Sequence, residues 1–193
     1  MEDIDIVKKV KSGDTDAFRE IIGKYKKVVF NHARSFLRNT QEAEDACQEI
    51  FISIYNNIRK FRGDSKFSTW VYRITVNTCK NKLKQLKRQR ARIAEEAYEQ
   101  GDEELDRRIT NIREKEEKEP DNIFAGENVK DIVLKRVSEL TEEQRDVITL
   151  RDIDGLTYEE IAGVMKLSVS AVKSKIFRAR ENLREKLEKD GVV

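Results

Sequence analysis

The stretch LTYEEIAGVMKLSVSAVKSKIFRARENL, residues 156–183, decides the fold of the C-terminal part of this chain. Thr157 and Glu160 have the spacing of a capping box, in which a hydroxyl and a side chain three residues later satisfy free amides at a helix start. Apolar residues at helical spacing follow, and Ser168 is placed to cap a second, basic helix after a short turn. This order predicts a helix-turn-helix, whose second helix enters the DNA major groove.

Helical geometry divides that second helix into an inward and an outward side. The inward stripe contains Val169, Val172, Ile176, Ala179 and Leu183. The predicted DNA contacts lie on the outward side and its flanks: Ser170, Lys173, Ser174, Lys175, Phe177, Arg178 and Arg180. We expect Ser174 and Arg178 to contact base edges, and Lys173, Lys175 and Arg180 to contact phosphates. The alternative interpretation is a plain antiparallel helical hairpin.

A second basic segment, residues 59–92, has twelve cations and one carboxylate, Asp64. Four aromatic residues lie among the cations: Phe61, Phe67, Trp70 and Tyr72. Basic charge interleaved with aromatic rings is typical of a surface for an unpaired nucleic-acid strand, because cations follow the phosphates and rings stack on exposed bases.

The pattern predicts a helix from about Phe67 to beyond Leu83, with one band suited to such a strand. At about 100° per residue, the band contains Trp70, Arg73, Asn77, Lys80, Asn81, Lys84 and Arg88. Tryptophan supplies a stacking plane, asparagines can bind base edges, and the cations can hold the backbone. The alternative is that Trp70 belongs to the core and the lysines form a solvated face.

A helix predicted from about Thr40 to Tyr55 has two distinct faces. Its inward stripe contains Ala43, Ala46, Cys47, Ile50, Phe51 and Ile54. The opposite face contains Asp45, Gln48, Glu49, Ile52 and Tyr55. An exposed isoleucine and tyrosine among acids indicate a protein partner, although an ordinary solvated face with a stray apolar residue is the alternative.

The amino-acid composition indicates the structural class of the protein. With one proline, eight glycines and abundant Glu, Lys and Arg, the chain is predicted to be all-α. Charge is segregated, because residues 95–121 are strongly acidic while the segments on either side are basic. We therefore predict a helical domain at 1–94, an acidic linker at 95–128 and a helix-turn-helix domain at 129–193.

The same composition argues against several classes of protein. Cys47 and Cys79 are far apart and lack neighbours at metal-ligand spacing, so no disulfide framework, metal site or cofactor is expected. No secretory signal or apolar run of about 20 residues is found, so we expect a cytoplasmic protein without membrane insertion. A nuclease is disfavoured because His32, the only histidine, has no plausible nucleophile partner and is expected to be a packed or surface residue.

Three separated blocks resemble bacterial sigma factors of the extracytoplasmic-function group. They are EDACQEIF at 44–51, FRGDSKFSTWVYRI at 61–74, and LTYEEIA at 156–162 with VKSKIFRAR at 172–180. The resemblance implies a sigma2-like helical bundle and a sigma4-like helix-turn-helix. Such proteins bind RNA polymerase core and direct it to promoter DNA, use no small-molecule substrate, and are commonly controlled by an anti-sigma factor. A stand-alone helix-turn-helix regulator is the alternative.

The resemblance also implies residue roles. The face at Asp45, Gln48, Glu49 and Ile52 would contact the clamp helices of the polymerase. In the N-terminal domain, −10 DNA would be bound by Arg59, Phe61, Arg62, Gly63, Asp64, Ser65, Trp70, Arg73, Asn77, Lys80, Asn81 and Lys84, with the loop from Arg59 to Ser65 capturing a flipped base. The C-terminal domain would bind the −35 element. Lys173 and Lys175 often appear as arginine in relatives, so base recognition is expected to depend more on Ser174 and Arg178.

Overall fold

The computed structural model describes residues 2–37, 39–100 and 129–191, and every regular element in those ranges is helical. The elements are α1 (Asp3–Lys11), α2 (Thr15–Leu37), α3 (Thr40–Asn57), a 3-10 turn (Ile58–Lys60), α4 (Phe67–Gln100), α5 (Val129–Ser138), α6 (Glu142–Ile148) continued by a π-helical turn (Thr149–Ile153), α7 (Tyr158–Met165) and α8 (Val169–Lys189). The all-α prediction is confirmed. We call residues 2–100 the N-terminal lobe and residues 129–191 the C-terminal lobe.

The N-terminal lobe is a bundle in which α2 packs against α1, α3 and α4. Asp14 caps α2, since its carboxylate accepts a hydrogen bond from the Ala17 amide at 3.1 Å. The inward stripe of α3 is confirmed, because Ala43, Ala46, Ile50 and Ile54 are fully buried. Helix α1, which the sequence analysis did not anticipate, contributes Ile6, Val7 and Val10 to the same core.

The C-terminal lobe contains the predicted helix-turn-helix. Both halves of the Thr157–Glu160 capping box are present at the start of α7. Lys166 takes a left-handed conformation (φ +55°) that ends α7, and the Ser168 hydroxyl caps α8 by accepting from the Ala171 amide. Within the inward stripe of α8, Val172, Ile176 and Ala179 are buried.

The two lobes pack against each other through a shared apolar core. Tyr72 and Val76 of α4 are buried among C-terminal residues that include Leu150, Ile161 and Ala162. Their burial removes apolar surface from water and stabilises the arrangement in which the two lobes are in contact, which we call the closed structure.

Polar groups also lie in this interface. The Thr149 hydroxyl donates to the Ser35 hydroxyl at 3.2 Å, and His32 Nδ1 lies 3.7 Å from an oxygen of Asp154, both side chains being buried. Of the two environments expected for His32, packed or surface, the structure places it in the packed one.

The predicted domain boundaries differ from the helix boundaries at one point. Helix α4 continues to Gln100, beyond residue 94, because the first carboxylates of the acidic stretch are good helix formers. The remainder of the predicted linker, residues 101–128, lies outside the described residues. In the described part of the chain, no helix has both the length and the apolar character needed to cross a membrane.

Candidate nucleic-acid and partner-binding surfaces

An aromatic cluster of Phe61, Phe67 and Trp70 supports the loop between the 3-10 turn and α4. Their ring centroids lie 5.3 to 5.5 Å apart, and Trp70 stacks on Phe67 at an interplanar angle of 27°. Phe61 and Phe67 are buried, whereas Trp70 is only half-buried. The cluster therefore presents one ring, that of Trp70, at the surface.

The ring of Phe61, a residue predicted to contact DNA, is buried in the structure. Its ring is 5% exposed, and its carbonyl accepts a hydrogen bond from Lys11 Nζ at 2.5 Å. Phe61 anchors the base of the loop, because a phenylalanine next to two other rings gains more from burial than from exposure. A base cannot stack on this ring in the closed structure.

The remainder of the loop projects into solvent. Arg59, Arg62, Gly63 and Asp64 are exposed, and Ser65 is half-exposed. Gly63 has φ of +86°, a conformation that residues with a Cβ rarely adopt, so glycine permits the sharp turn that brings the backbone outward. Exposed amides and an arginine on a tight turn suit the capture of a single nucleotide.

The predicted band of α4 divides into two groups. Asn77, Asn81 and Lys84 are exposed to solvent. Arg73 and Lys80 instead contact the C-terminal lobe: Arg73 Nε donates to the Gly163 carbonyl at 2.8 Å, and Lys80 Nζ lies 2.5 Å from the buried carboxylate of Asp146. In the closed structure, part of the predicted DNA surface is thus occupied by protein.

The outward face of α3 is open. Asp45, Gln48 and Glu49 are exposed, and 60% of Ile52 is accessible to solvent. Lys82 of α4 donates to Glu49 at 2.6 Å, and this hydrogen bond raises the pKa of the lysine. The face therefore combines acidic groups with an exposed isoleucine, a composition suited to binding another protein.

Tyr55 belongs to the same face and was not among the residues assigned to the polymerase contact. It is 44% exposed, and its ring lies 5.0 Å from Phe18 in an edge-to-face arrangement. Its position one turn from Ile52 on α3 extends the apolar part of the surface.

On α8, the side predicted to face DNA is exposed at Ser170, Ser174 and Arg178. Phe177, on the same side of α8, is 68% exposed. Its ring can make apolar contact with a thymine methyl group in the major groove.

The three predicted phosphate contacts of α8 all have intramolecular partners. Lys175 pairs with Glu143, and Arg180 pairs with Asp152. Lys173 Nζ lies 5.6 Å from the ring centroid of Tyr158. The hydrogen bond from Lys175 lowers the pKa of Glu143. These pairs are at the surface, where an ion pair contributes about 0–1 kcal/mol, so a phosphate can replace the partner at little cost.

Sequence reasoning missed two cations, Lys66 and Lys87, that belong with Arg73 and Lys80. All four contact oxygens of the C-terminal lobe: Lys66 lies 2.9 Å from Glu160, and Lys87 lies 3.6 Å from Glu142. Arg73, Lys80 and Lys87 lie along one side of α4, and Lys66 directly precedes the helix, so their spacing of seven residues could have revealed the set.

Known proteins match both lobes. Residues 21–89 match the family model described as Sigma-70 region 2, and residues 130–183 match the one described as Sigma-70, region 4. The chain is 36% identical to the RNA polymerase sigma-H factor of Pseudomonas aeruginosa over 191 residues, which cover 97% of this chain and 94% of that protein. It is 37% identical to the ECF RNA polymerase sigma-E factor of Escherichia coli strain K12 over 183 residues, which cover 95% and 93%.

Two solved structures are similar in fold. One is CnrH in complex with the cytosolic domain of CnrY, with a TM-score of 0.66 and 24% identity over 96% of each chain. The other is the sigma factor RpoE in complex with the anti-sigma factor NepR from Bartonella quintana, with a TM-score of 0.62 and 19% identity over 89% of this chain and 96% of that one.

Proposed function

This chain belongs to the sigma-70 family of bacterial transcription initiation factors, in its extracytoplasmic-function group, and from that membership we propose which lobe recognises which promoter element. The chain directs RNA polymerase core to promoters. The observation that carries this function is the presence, in order on one chain, of a region 2 lobe with an aromatic and basic helix and a region 4 lobe with a helix-turn-helix.

The open face of α3 binds the polymerase core. Its contacts are Asp45, Gln48, Glu49 and Ile52, with Tyr55 beside them. The exposed isoleucine supplies apolar area at the centre, and the surrounding carboxylates select a basic partner surface. This predicted face is neither buried nor covered by the other lobe in the closed structure.

The N-terminal lobe holds the −10 element as a single strand. The loop at Arg59 to Ser65 captures one flipped base, Trp70 stacks on a neighbour, and the cations and asparagines of α4 hold the strand. Unstacking a base costs a few kcal/mol, while stacking it on an aromatic ring returns roughly 1–3 kcal/mol, so capture offsets melting. No catalytic group or cofactor is needed, because binding free energy opens the duplex.

The C-terminal lobe binds the −35 element as a duplex, with α8 in the major groove. Ser174, Phe177 and Arg178 face the bases, whereas Lys173, Lys175 and Arg180 exchange their intramolecular partners for phosphates. We further infer an anti-sigma partner, since the relatives CnrH and RpoE were solved in complexes with CnrY and the anti-sigma factor NepR. Because bacterial transcription takes place in the cytoplasm, we infer that the protein is cytoplasmic.

Run-off transcription with core enzyme and a random promoter library tests this function. We expect the holoenzyme to enrich a −35 and a −10 motif at fixed spacing. A chain that binds duplex DNA but not core polymerase would instead be a stand-alone helix-turn-helix regulator, and that result would refute the proposal.

Substitutions on α8 should separate base recognition from phosphate binding. Arg178→Ala is expected to reduce activity about tenfold at the selected −35 sequence and little at −35 variants, within the range of a good base contact. Lys175→Ala should weaken binding to all sequences similarly. It should also lower the slope of log affinity against log salt concentration by about one, the value expected for one phosphate contact. The measurement is holoenzyme affinity across a −35 panel at several salt concentrations. Equal losses across the panel for both variants would contradict the assignment.

A further inference from the structure

A lysine of helix α1 reaches the loop that the proposed function assigns to base capture. Lys11 lies in the last turn of α1, and its Nζ donates to the Phe61 carbonyl at 2.5 Å, across 50 residues of sequence. The same ammonium lies 5.9 Å from the centroid of the Phe61 ring. Helix α1 therefore contacts both the backbone and the ring of the residue from which the exposed part of the loop departs.

The packing of α1 explains why this lysine can reach the loop. Ile6, Val7 and Val10 are buried in the core of the N-terminal lobe. Lys11 follows Val7 by about one helical turn, so it lies at the edge of that buried face and is itself half-buried. A lysine at such an edge can bury its alkyl stem while its ammonium binds a polar partner.

Phe61 is held through its amide, its ring and its carbonyl. The amide donates to the Ile58 carbonyl at 3.1 Å, and the ring lies 5.3 Å from that of Phe67 and 5.5 Å from that of Trp70. These contacts come from the same stretch of chain as the loop. The hydrogen bond to the carbonyl comes from α1 instead, so it ties the start of the loop to a separate element of the bundle.

A hydrogen bond on this carbonyl also fixes the next amide of the chain. The peptide bond between Phe61 and Arg62 is planar and trans, so its C=O and N–H point in opposite directions. Because the carbonyl is directed at Lys11, the Arg62 amide points away from that lysine. A hydrogen bond from a charged donor is stronger than a neutral one, and it polarises the peptide so that its N–H becomes a better donor.

The exposed part of the loop is short and is anchored at both ends. Residues 62–65 separate the Phe61 carbonyl from the Lys66 carbonyl, which accepts from the Trp70 amide at 3.2 Å as α4 begins. In so short a turn, the direction of the first peptide constrains where the following groups lie. A loop whose shape is set before its ligand arrives loses less conformational entropy on binding and holds its donors in place for one base geometry.

We propose that Lys11 is a positioning residue for base capture, and that its hydrogen bond to the Phe61 carbonyl directs the Arg62 amide at the captured base. Base edges carry carbonyl and ring-nitrogen acceptors that such an amide can bind. The inference rests on the proposed function of the loop. Lys11 acts through the loop backbone without contacting DNA, so it contributes to the choice of base and not to the general attraction of the strand.

A lysine substitution with a matched control tests this role. Lys11→Met removes the ammonium and keeps a side chain of similar length, and Lys11→Gln removes the charge in a second way. The control is Lys24→Met, because Lys24 also holds α1 in place: its Nζ donates to Asp3 at 2.5 Å and lies 5.8 Å from the ring centroid of Tyr25. That contact joins α1 to α2 and not to the loop. Lys11→Arg restores a charged donor.

The measurement is the affinity of holoenzyme for labelled single-stranded oligonucleotides, read by fluorescence anisotropy. The oligonucleotides carry the −10 motif that the wild-type holoenzyme selects, and each position is replaced in turn by the other bases or by an abasic site. The preference at a position is the ratio of the affinities for the selected base and for the abasic site. An abasic site keeps the phosphates, so this ratio separates base capture from attraction to the backbone.

We expect Lys11→Met and Lys11→Gln to lower the preference at one position by about fivefold, which lies within the range of a single base contact. The oligonucleotide that is abasic at that position should bind both variants and the wild type equally. Lys24→Met should keep the full preference, and Lys11→Arg should recover most of it.

An unchanged preference in either Lys11→Met or Lys11→Gln would overturn the proposal. An equal loss of affinity for every oligonucleotide, including the abasic ones, would also overturn it, because Lys11 would then only stabilise the lobe. If the wild-type holoenzyme prefers no base at any position of the strand, the proposed function of the loop fails instead.

Discussion

Replacing Ile52 with aspartate should lower the affinity for core polymerase by roughly thirtyfold or more. The side chain is 60% exposed in the free chain, so burial of that remaining surface against the polymerase would contribute about 1–2 kcal/mol. An aspartate loses that contribution and places an unpaired charge in a desolvated contact, which adds to the cost. A loss of about 2 kcal/mol corresponds to the stated factor. Transcription should fall with binding, since every later step requires the holoenzyme.

The matched control is Ile4→Asp, which makes the same change at an isoleucine of α1 that is 43% exposed. Both positions face solvent in the free chain, so neither substitution should lower the free energy of unfolding by more than about 0.5 kcal/mol. Core affinity is measured by fluorescence anisotropy with labelled chain. Equal core affinities for both variants and the wild type would show that Ile52 is not part of the polymerase contact.

The sequence predicted the elements whose local chemistry is self-contained. Thr157, Glu160 and Ser168 mark two helix starts without any long-range information, and the structure forms those caps. The inward stripe of α3 could be predicted in the same way, because small and branched apolar residues at helical spacing allow only one side of the helix to be buried. The same pattern identified Ile52 as an apolar residue on the solvent-facing side of α3.

Contacts between the lobes could not be predicted in the same way. Arg73 and Gly163 are 90 residues apart, and periodicity assigns a residue to a side of its helix without saying what covers that side. Val76 shows the difficulty, since an apolar residue on a basic helix fits either the core of its own lobe or an interface, and it lies in the interface.

The burial of Phe61 could not be predicted for a related reason. A ring among cations has the composition of a stacking platform, yet three rings close in sequence can also bury one another. The cluster with Phe67 and Trp70 takes Phe61 out of solvent and leaves one ring partly outside. Composition marks this segment as a candidate surface but does not determine which of its rings reaches solvent.

That ring gives the second large expected effect. Trp70→Ala should reduce open-complex formation on duplex promoter by roughly 5- to 150-fold, because stacking on an aromatic contributes about 1–3 kcal/mol per base and each 1.4 kcal/mol is tenfold. On a template with a pre-melted bubble the defect should be smaller, since the unpairing that the stacked base offsets has already occurred. Permanganate reactivity of unpaired thymines measures opening on both templates.

Trp70 also packs on Phe67, so a loss of structure has to be separated from a loss of stacking. Phe67→Leu removes a buried ring of the same cluster that does not reach the surface, and it should affect duplex and bubble templates equally. Trp70→Phe keeps a ring at the exposed position and should recover part of the opening on duplex. An identical defect of Trp70→Ala on the two templates would mean that the indole stabilises the lobe without stacking on a melted base.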